Sequence, residues 1–463
     1  MNKNDLFQAV GQADDTLLLQ SEQQKRSRKP WWIGAAAAVL ALVLCLGLFL
    51  HSGGGLAVQV LAEPAYPKNA PYSADDDDAY ETWWEDQQSR QPEPGYADSL
   101  TPFLGSSIRQ FLSSDGNENL VFSPLNTYMA LAMLAEITGG TSRQQILDLL
   151  GVPEMEALRV QAQMLWNAQY CDDGATTKLL ASSLWLNGDL SFRQDTLDLL
   201  ADSYYASSYR GTPGSAEMDK ALQKWLNRQT GNLLEEQAGS VHLDPQTVLA
   251  LASTICFRAK WADEFQEAKT ADGIFHAPGG EYTVPFMHSF RQDTYYRGAH
   301  FGAVSIPLQN GAGAMWLLLP DEGYTPQELL QEGDTLSCLV SGGNPEAGRQ
   351  VMLDLALPKF DVSSDFSLSE GLQALGITDV FSQSAADFSS LTEEPAFLSD
   401  TRQAVRVGID ETGITAAAFT VMQLAGGAKP PEETVVFSLD RPFLFAVSGS
   451  DGLPVFTGVV QNP

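Results

Sequence analysis

Side chains that could do chemistry are sparse in this chain and do not gather into a catalytic pattern. The five histidines stand at positions 51, 242, 276, 288 and 300, without metal-ligand spacing. No GK[ST] loop, HExxH helix or GxSxG elbow occurs. Of the four cysteines, Cys45 lies in an apolar N-terminal run, and Cys171, Cys256 and Cys338 are too scattered for a disulfide framework. Cys256 sits in an apolar strand pattern and reads as a small core residue. Gly139-Gly140 could face a phosphate, but it reads better as the end of one helix, with Thr141 capping the next and Gln144 completing a capping box. The expectation is a protein that is no enzyme, with no metal and no cofactor.

What remains is an uncharged segment near the C-terminus. No residue from Thr412 to Ala428 is charged, in a chain of formal net charge −31. Side chains alternate faces along a strand. Extended, the segment would put Ile414, Ala416, Ala418, Thr420, Met422 and Leu424 on one small, apolar face. Ala and Gly are weak strand formers, and Ala416-Ala417-Ala418 would suit a helix as well. The segment is fit for burial in a sheet but not committed to it, which suggests a switch. Beyond Pro430-Pro431 come two strand-like runs, TVVFSLDRPFLFAVS and LPVFTGVVQNP.

DETGITAAAFT resembles the hinge of the serpin reactive-centre loop, and RPFLFAV and VFTGVVQNP resemble the closing strands of that family. Other blocks follow in the family's order: NLVFSPLNTYMALAML, GGTSRQQILDLL, LASSLWLNGDLSF, LALASTICFRAKWADEF, VPFMH, IPLQNGAGAMWLLLP and LDLALPKFDV. The resemblance runs from about residue 99 to Pro463. It implies an α+β serpin fold: a large central mixed sheet with two further sheets, about eight to nine helices and an exposed reactive-centre loop near 411–435.

The resemblance also implies a mechanism. A serine protease attacks the loop and forms an acyl-enzyme. The freed segment then enters the central sheet as a new strand, and the tethered protease is distorted before deacylation. Glu411, Gly413, Ile414, Thr415, Ala416, Ala417 and Ala418 would form the hinge, with Gly413 supplying freedom to bend. Ile414 stands where the family usually has Thr or Ser, and its bulk is expected to slow insertion. Ser123 and Pro124 match the shutter under the sheet. Ser253 and Gln403 replace the usual Asn and His there and could make an alternative pair. Trp261 matches the breach tryptophan.

Counting from Glu411 by the family spacing places the scissile bond at Gly427-Ala428, which suits elastase-like or subtilisin-like targets. Lys429 would suit a trypsin-like target, although a Lys-Pro bond is a poor substrate. A cysteine protease target and a non-inhibitory binding module stay open. The partners implied are serine proteases held as covalent acyl complexes by a monomer.

Residues 31–50 form an uncharged apolar run preceded by Lys25, Arg26, Arg28 and Lys29. At ~1.5 Å per residue it matches a bilayer core of ~30 Å. The positive-inside rule then makes 1–30 a cytoplasmic tail, 31–50 an anchor, 51–98 an extracellular Pro/Asp-rich linker and 99–463 the external domain of a bacterial surface protein. If the segment is cleaved near Val60-Leu61-Ala62, the protein would be secreted instead. Asp75 to Asp78 reads as a solvated part of the linker. A pI near 4.3 argues against nucleic acid, anionic membrane surfaces and heparin-type activation.

Overall fold

Two β-strands near the C-terminus are apolar on both faces, and this decides how the layers stack. β16 (Phe443–Ser448) and β17 (Pro454–Val460) are buried at every position. A strand can be buried on both sides only when a layer covers each face. One cover is the helix Pro124–Ile137, itself buried nearly all round, as expected for a helix with no polar face. It packs on β17 and on a strand of a second sheet, so it lies between the two sheets.

The computed structural model describes residues 58–113, 116–231, 238–342, 348–399, 401–414 and 431–463. Thr415 to Ala418, the candidate bond Gly427-Ala428 and Lys429 lie outside the described residues, as do residues 1–57. Among the described residues there are ten α-helices: α1 (Asp77–Arg90), α2 (Thr101–Leu112), α3 (Pro124–Ile137), α4 (Gly140–Leu150), α5 (Met155–Gln169), α6 (Gln194–Tyr204), α7 (Ala216–Gln229), α8 (Pro326–Leu329), α9 (Gly333–Ser341) and α10 (Ser369–Ala374).

The first sheet contains β1 (Gln59–Ala62), β5 (Ala206–Gly211), β4 (Thr177–Asn187), β6 (Leu249–Lys260), β14 (Gly413–Ile414), β13 (Arg402–Ile409) and β12 (Phe360–Ser367), in that spatial order. The short β3 (Cys171–Asp172) pairs with β4. The β4–β5 pair is parallel and its neighbours are antiparallel, so the sheet is mixed. The second sheet runs β15 (Thr434–Ser438), β11 (Gly348–Pro358), β8 (Gly280–Arg297), β9 (Phe301–Pro307), β10 (Ala314–Pro320), β16, β17 and β2 (Leu120–Phe122), with β7 (Ala271–Ala277) on β8. Two sheets besides the central one were expected, but the described strands form only one. The reason is β8, whose 18 residues pair with β7, β11 and β9 in turn and join both halves into one ladder.

The segment before residue 99 departs from an extended linker. β1 adds a strand to the free side of β5, with Val60 opposite Tyr209. Tyr66 stacks on Trp166, Tyr170 and Tyr205, with ring centroids 5.7, 5.8 and 6.2 Å away. Burial pushes the Tyr66 phenol well above its ordinary pKa. The Asp75–Asp78 run is not a free acidic stretch. Asp76 caps α1 by accepting from the backbone N–H groups of Asp78 and Ala79, and Asp77 and Asp78 occupy the first turn. Carboxylates there are favoured by the helix dipole. Trp83 anchors the helix, 2% exposed, donating from Nε1 to Asp173 Oδ2 at 2.8 Å.

The expected cell-membrane localisation is corrected as well. Among the described residues no helix is long and apolar enough to cross a membrane. The run 31–50 on which that expectation rested lies outside them. Likewise no capping box forms at Thr141. Gly139 occupies the N-cap of α4 without a side-chain cap, Thr141 donates to Asp379 at 2.6 Å, and Gln144 reaches down the helix to Asp148.

Candidate functional site

Glu411, Thr412 and Gly413 form a tight turn that delivers the chain into the first sheet. Asp410 makes the turn: its Oδ1 accepts from Thr412 N at 2.8 Å, Thr412 Oγ1 at 2.6 Å and Gly413 N at 3.2 Å. An Asp side chain bonded to backbone two residues on is an Asx turn. Trp261 braces it from the side. Trp261 is 1% exposed, donates from Nε1 to the Asp410 carbonyl at 2.8 Å and donates its backbone N–H to Thr412 O at 3.0 Å. Glu411 turns the other way, accepting from Lys359 Nζ and Thr270 Oγ1, both at 2.8 Å. Partial burial works to raise the Glu411 carboxyl, but the hydrogen bonds from Lys359, from its own backbone and from Thr270 outweigh it. They hold the group below its ordinary value of 4.5.

Gly413 was expected to give freedom to bend. The structure assigns it a different constraint. A Cβ at Gly413 would lie 2.3 Å from Ala259 O and 2.7 Å from Lys260 Cα. Only glycine lets the two backbones approach this closely. Ile414 is already 1% exposed, in register with Ala259 on β6 and Ile409 on β13. Its β-branched bulk is therefore seated in the sheet in this structure, and its burial is not a step that awaits loop entry.

β14 is only two residues long, yet it is the sole link between β6 and β13 among the described residues. Below it the two long strands flank a seam, beside which lies a cavity of about 460 Å³. The cavity is lined by Ala250, Ala252 and Thr254 of β6, Arg402 and Ala404 of β13, and Leu222 of α7. The other face of β6 presents Phe257 and Ala259 to the main core, against which Ile255 also packs.

Under the seam sits the N-terminus of α3. Pro124 occupies its first turn, where the missing N–H costs nothing and the fixed φ suits the helix. Ser123 Oγ donates to Val455 O at 2.7 Å. Gln403 takes Ser123 N on its Oε1 at 2.8 Å and donates from Nε2 to Ser123 O at 3.1 Å and Thr127 Oγ1 at 3.0 Å. Ser253 instead bonds Asn126 Oδ1 and lies 3.2 Å from Ser182 Oγ. Ser253 and Gln403 are thus not bonded to each other. Each strand is tied separately to the same helix end, β13 through Gln403 and β6 through Ser253.

The structure brings Ser123, Pro124, Ser253, Trp261, Gln403, Glu411, Gly413 and Ile414 to the two ends of one seam. Sequence reasoning missed Lys359, Asp410 and Asn126. Asp410 carried a legible signal, an Asp two residues before Thr-Gly, but Lys359 and Asn126 are distant in sequence and carried none. Cys171, Cys256 and Cys338 are free and buried, and Cys256 contributes to the packing behind β6 with Sγ 3.6 Å from Thr230 O.

A model of the family described as serpin (serine protease inhibitor) matches residues 99–463. The chain is 28% identical to plasminogen activator inhibitor 1 of Sus scrofa over 385 residues, covering 78% of this chain and 91% of that protein. It is 25% identical to an uncharacterized serpin-like protein of Thermococcus kodakarensis over 438 residues, 91% of this chain and 98% of the other. In three dimensions it is similar to the thermophilic serpin tengpin in its native state, with a TM-score of 0.72 over 81% of this chain and 95% of that one, at 23% identity. The relatives include a mammal and an archaeon, so they do not point to a bacterial source. The match of the family model to residues 99–463, most of the chain, establishes that this chain belongs to the serpin family of serine protease inhibitors.

Proposed function

We propose that this protein is a suicide-substrate inhibitor of serine proteases, cut near Gly427-Ala428 and trapping the acyl-enzyme by inserting its loop between β6 and β13. The observation that carries this reading is the direction and register of β14. It runs antiparallel to both β6 and β13, with Gly413 opposite Lys260 and Ile414 opposite Ala259. Continuing that register would set Ala416 against Phe257, Ala418 against Ile255, Thr420 against Ser253 and Leu424 against Leu249. The segment Gly413 to Leu424 would then match β6 end to end. Directly opposed residues share a face of a sheet. The alternating Ile414, Ala416, Ala418 series would therefore meet the core side of β6, and no charge would be buried on the way. Small residues around Gly427-Ala428 favour an elastase-like or subtilisin-like target. A trypsin-like protease cutting at Lys429 is the competing specificity.

The test is to mix the purified protein separately with pancreatic elastase, subtilisin and trypsin and to examine denaturing gels and released-fragment masses. A covalent complex stable in SDS, with a fragment beginning at Ala428, is expected. A fragment beginning at Pro430 would transfer the specificity to Lys429. Cleavage by all three without any complex, and without a rise in melting temperature after cleavage, would reject insertion and leave a binding module.

A further inference from the structure

A second cavity, of about 370 Å³, lies away from the seam, where α1 crosses the start of β4. Its walls include Trp83, Trp84 and Gln87 of α1, Tyr170 after α5, Lys178 of β4, and Ser450. Lys178 is the unusual member. It is 4% exposed, and its Nζ donates one long hydrogen bond, 3.4 Å to Ser450 Oγ. An ammonium carries three donors, and a buried charge without a counter-charge is costly. Burial draws the lysine pKa down.

The charged groups around it do not supply the missing partner. Asp451 accepts from Tyr96 Oη at 2.5 Å, Gln169 Nε2 at 2.6 Å and Leu453 N at 3.1 Å. Asp173 accepts from Trp83 Nε1, Ala175 N and Thr176 N at 2.7 to 2.9 Å. Both act on Lys178 only through the longer-range field. Arg90 at the rim is paired with Asp86 at 3.0 Å. The Cys171 thiol is pushed up to about 12, by burial first and by Asp173 next, and stays neutral. Gln87 also lines the cavity, and its Nε2 is buried without an acceptor. Gln87 Nε2 and Asn310 Nδ2 therefore lack acceptors, and Lys178 has only the long bond to Ser450, in a cavity walled by aromatic rings, one of which, Trp84, is 48% exposed.

We propose that this cavity binds a small organic monoanion with a flat apolar body, of the arylacetate type. Its carboxylate would sit on Lys178 and Gln87, and its ring against Trp83, Trp84 and Tyr170. The volume falls in the range of small-molecule sites, about 300–1,000 Å³. The aromatic walls select a flat ring. The charge selects a monoanion: one ammonium answers one carboxylate, while Asp451 and Asp173 repel a second negative charge. Because α1 supplies one wall and β4 the other, the bound molecule would fasten the N-terminal segment to the body.

Titration of the full chain by calorimetry and tryptophan fluorescence tests this, with 4-hydroxyphenylacetate, the neutral phenylacetamide and the dianionic phenyl phosphate as probes. The arylacetate should bind saturably and raise the melting temperature, and the amide and the phosphate should each bind at least about tenfold more weakly. Lys178→Met should keep the unliganded melting temperature or raise it, since it removes an unpaired buried charge, and should lose about tenfold or more in affinity for the arylacetate. Gln87→Leu should lose a few-fold and stands in if the lysine variant does not fold. No saturable binding of any probe up to about 10 mM, equal binding of acid and amide, or an unchanged affinity in Lys178→Met would overturn the proposal. Phosphate binding more tightly than carboxylate would overturn the monoanion assignment.

Discussion

The first sheet has two very different margins within one layer. At the β6–β13 seam, two residues of β14 are all that join the flanking strands among the described residues. At the outer edge, β1 closes β5, Tyr66 enters a stack of three rings, and α1 is pinned through Trp83. Between these margins β4 and β6 pair along their whole length, from Thr177 opposite Arg258 to Leu186 opposite Leu249. Stability in a protein is unevenly spread, and moving elements are drawn from its weak end. Here the weak end is a single seam. The pairing that would resist other openings of the sheet is in place elsewhere, so the insertion proposed above has one route.

Four substitutions test that contrast. The largest effect is expected from Ala416→Arg. On the proposed register it faces Phe257, and burying the guanidinium there costs several kcal/mol. The protein should be cleaved as a substrate without forming a complex, while its melting temperature before cleavage stays at the wild-type value. Trapping at wild-type stoichiometry would show that the inward face is misassigned. Trp83→Ala should do the reverse. Removing a buried indole costs about 3–5 kcal/mol, so thermal melting should fall sharply while the stoichiometry of inhibition holds. If stoichiometry changes with it, the outer edge and the seam are coupled and the contrast is too simple.

Gln403→Leu acts between the two. It removes the acceptor of Ser123 N and the donor to Thr127, about 1–3 kcal/mol for each buried group left unsatisfied. Spontaneous loss of inhibitory activity on incubation should accelerate, because β13 is freed from α3. Stability without any change in that rate would mean that Gln403 holds the helix rather than the seam.

The smallest effect belongs to Glu411→Gln, since the Lys359 pair is partly solvated and such pairs contribute about 0–1 kcal/mol. Its sign with pH is fixed. The folded carboxyl titrates below its ordinary 4.5, so its contribution is present above that value and is lost as pH falls through the lower folded value. The melting difference between wild type and variant should be full near neutral pH and vanish in acid below both values. A difference that persists unchanged in strong acid would show that Thr270 and the backbone, not charge, hold the turn.

Local pattern carried much of the molecule into view. The uncharged, alternating stretch after Glu411, the Pro at the start of α3 and the apolar runs of β16 and β17 are properties of neighbouring residues, and their consequences follow from periodicity and backbone geometry. The Asp76 cap was legible in the same local sense, through carboxylates just before and within a first helical turn, but composition rich in Pro and Asp pointed to a tether. What only the tertiary structure decided are the relations between distant segments. Gly413 is required by the nearness of the Ala259 carbonyl. Gln403 and Ser253 tie two different strands to the start of α3 because each reaches a different residue there. Lys178 is left nearly unpartnered because a helix about ninety residues earlier in the chain closes over it. Sequence by itself determined which segments could be strands, helices or an inserting loop, because those preferences are local. Which groups meet, and which buried charge lacks a partner, depends on chain closure over long separations, and only the folded packing sets it.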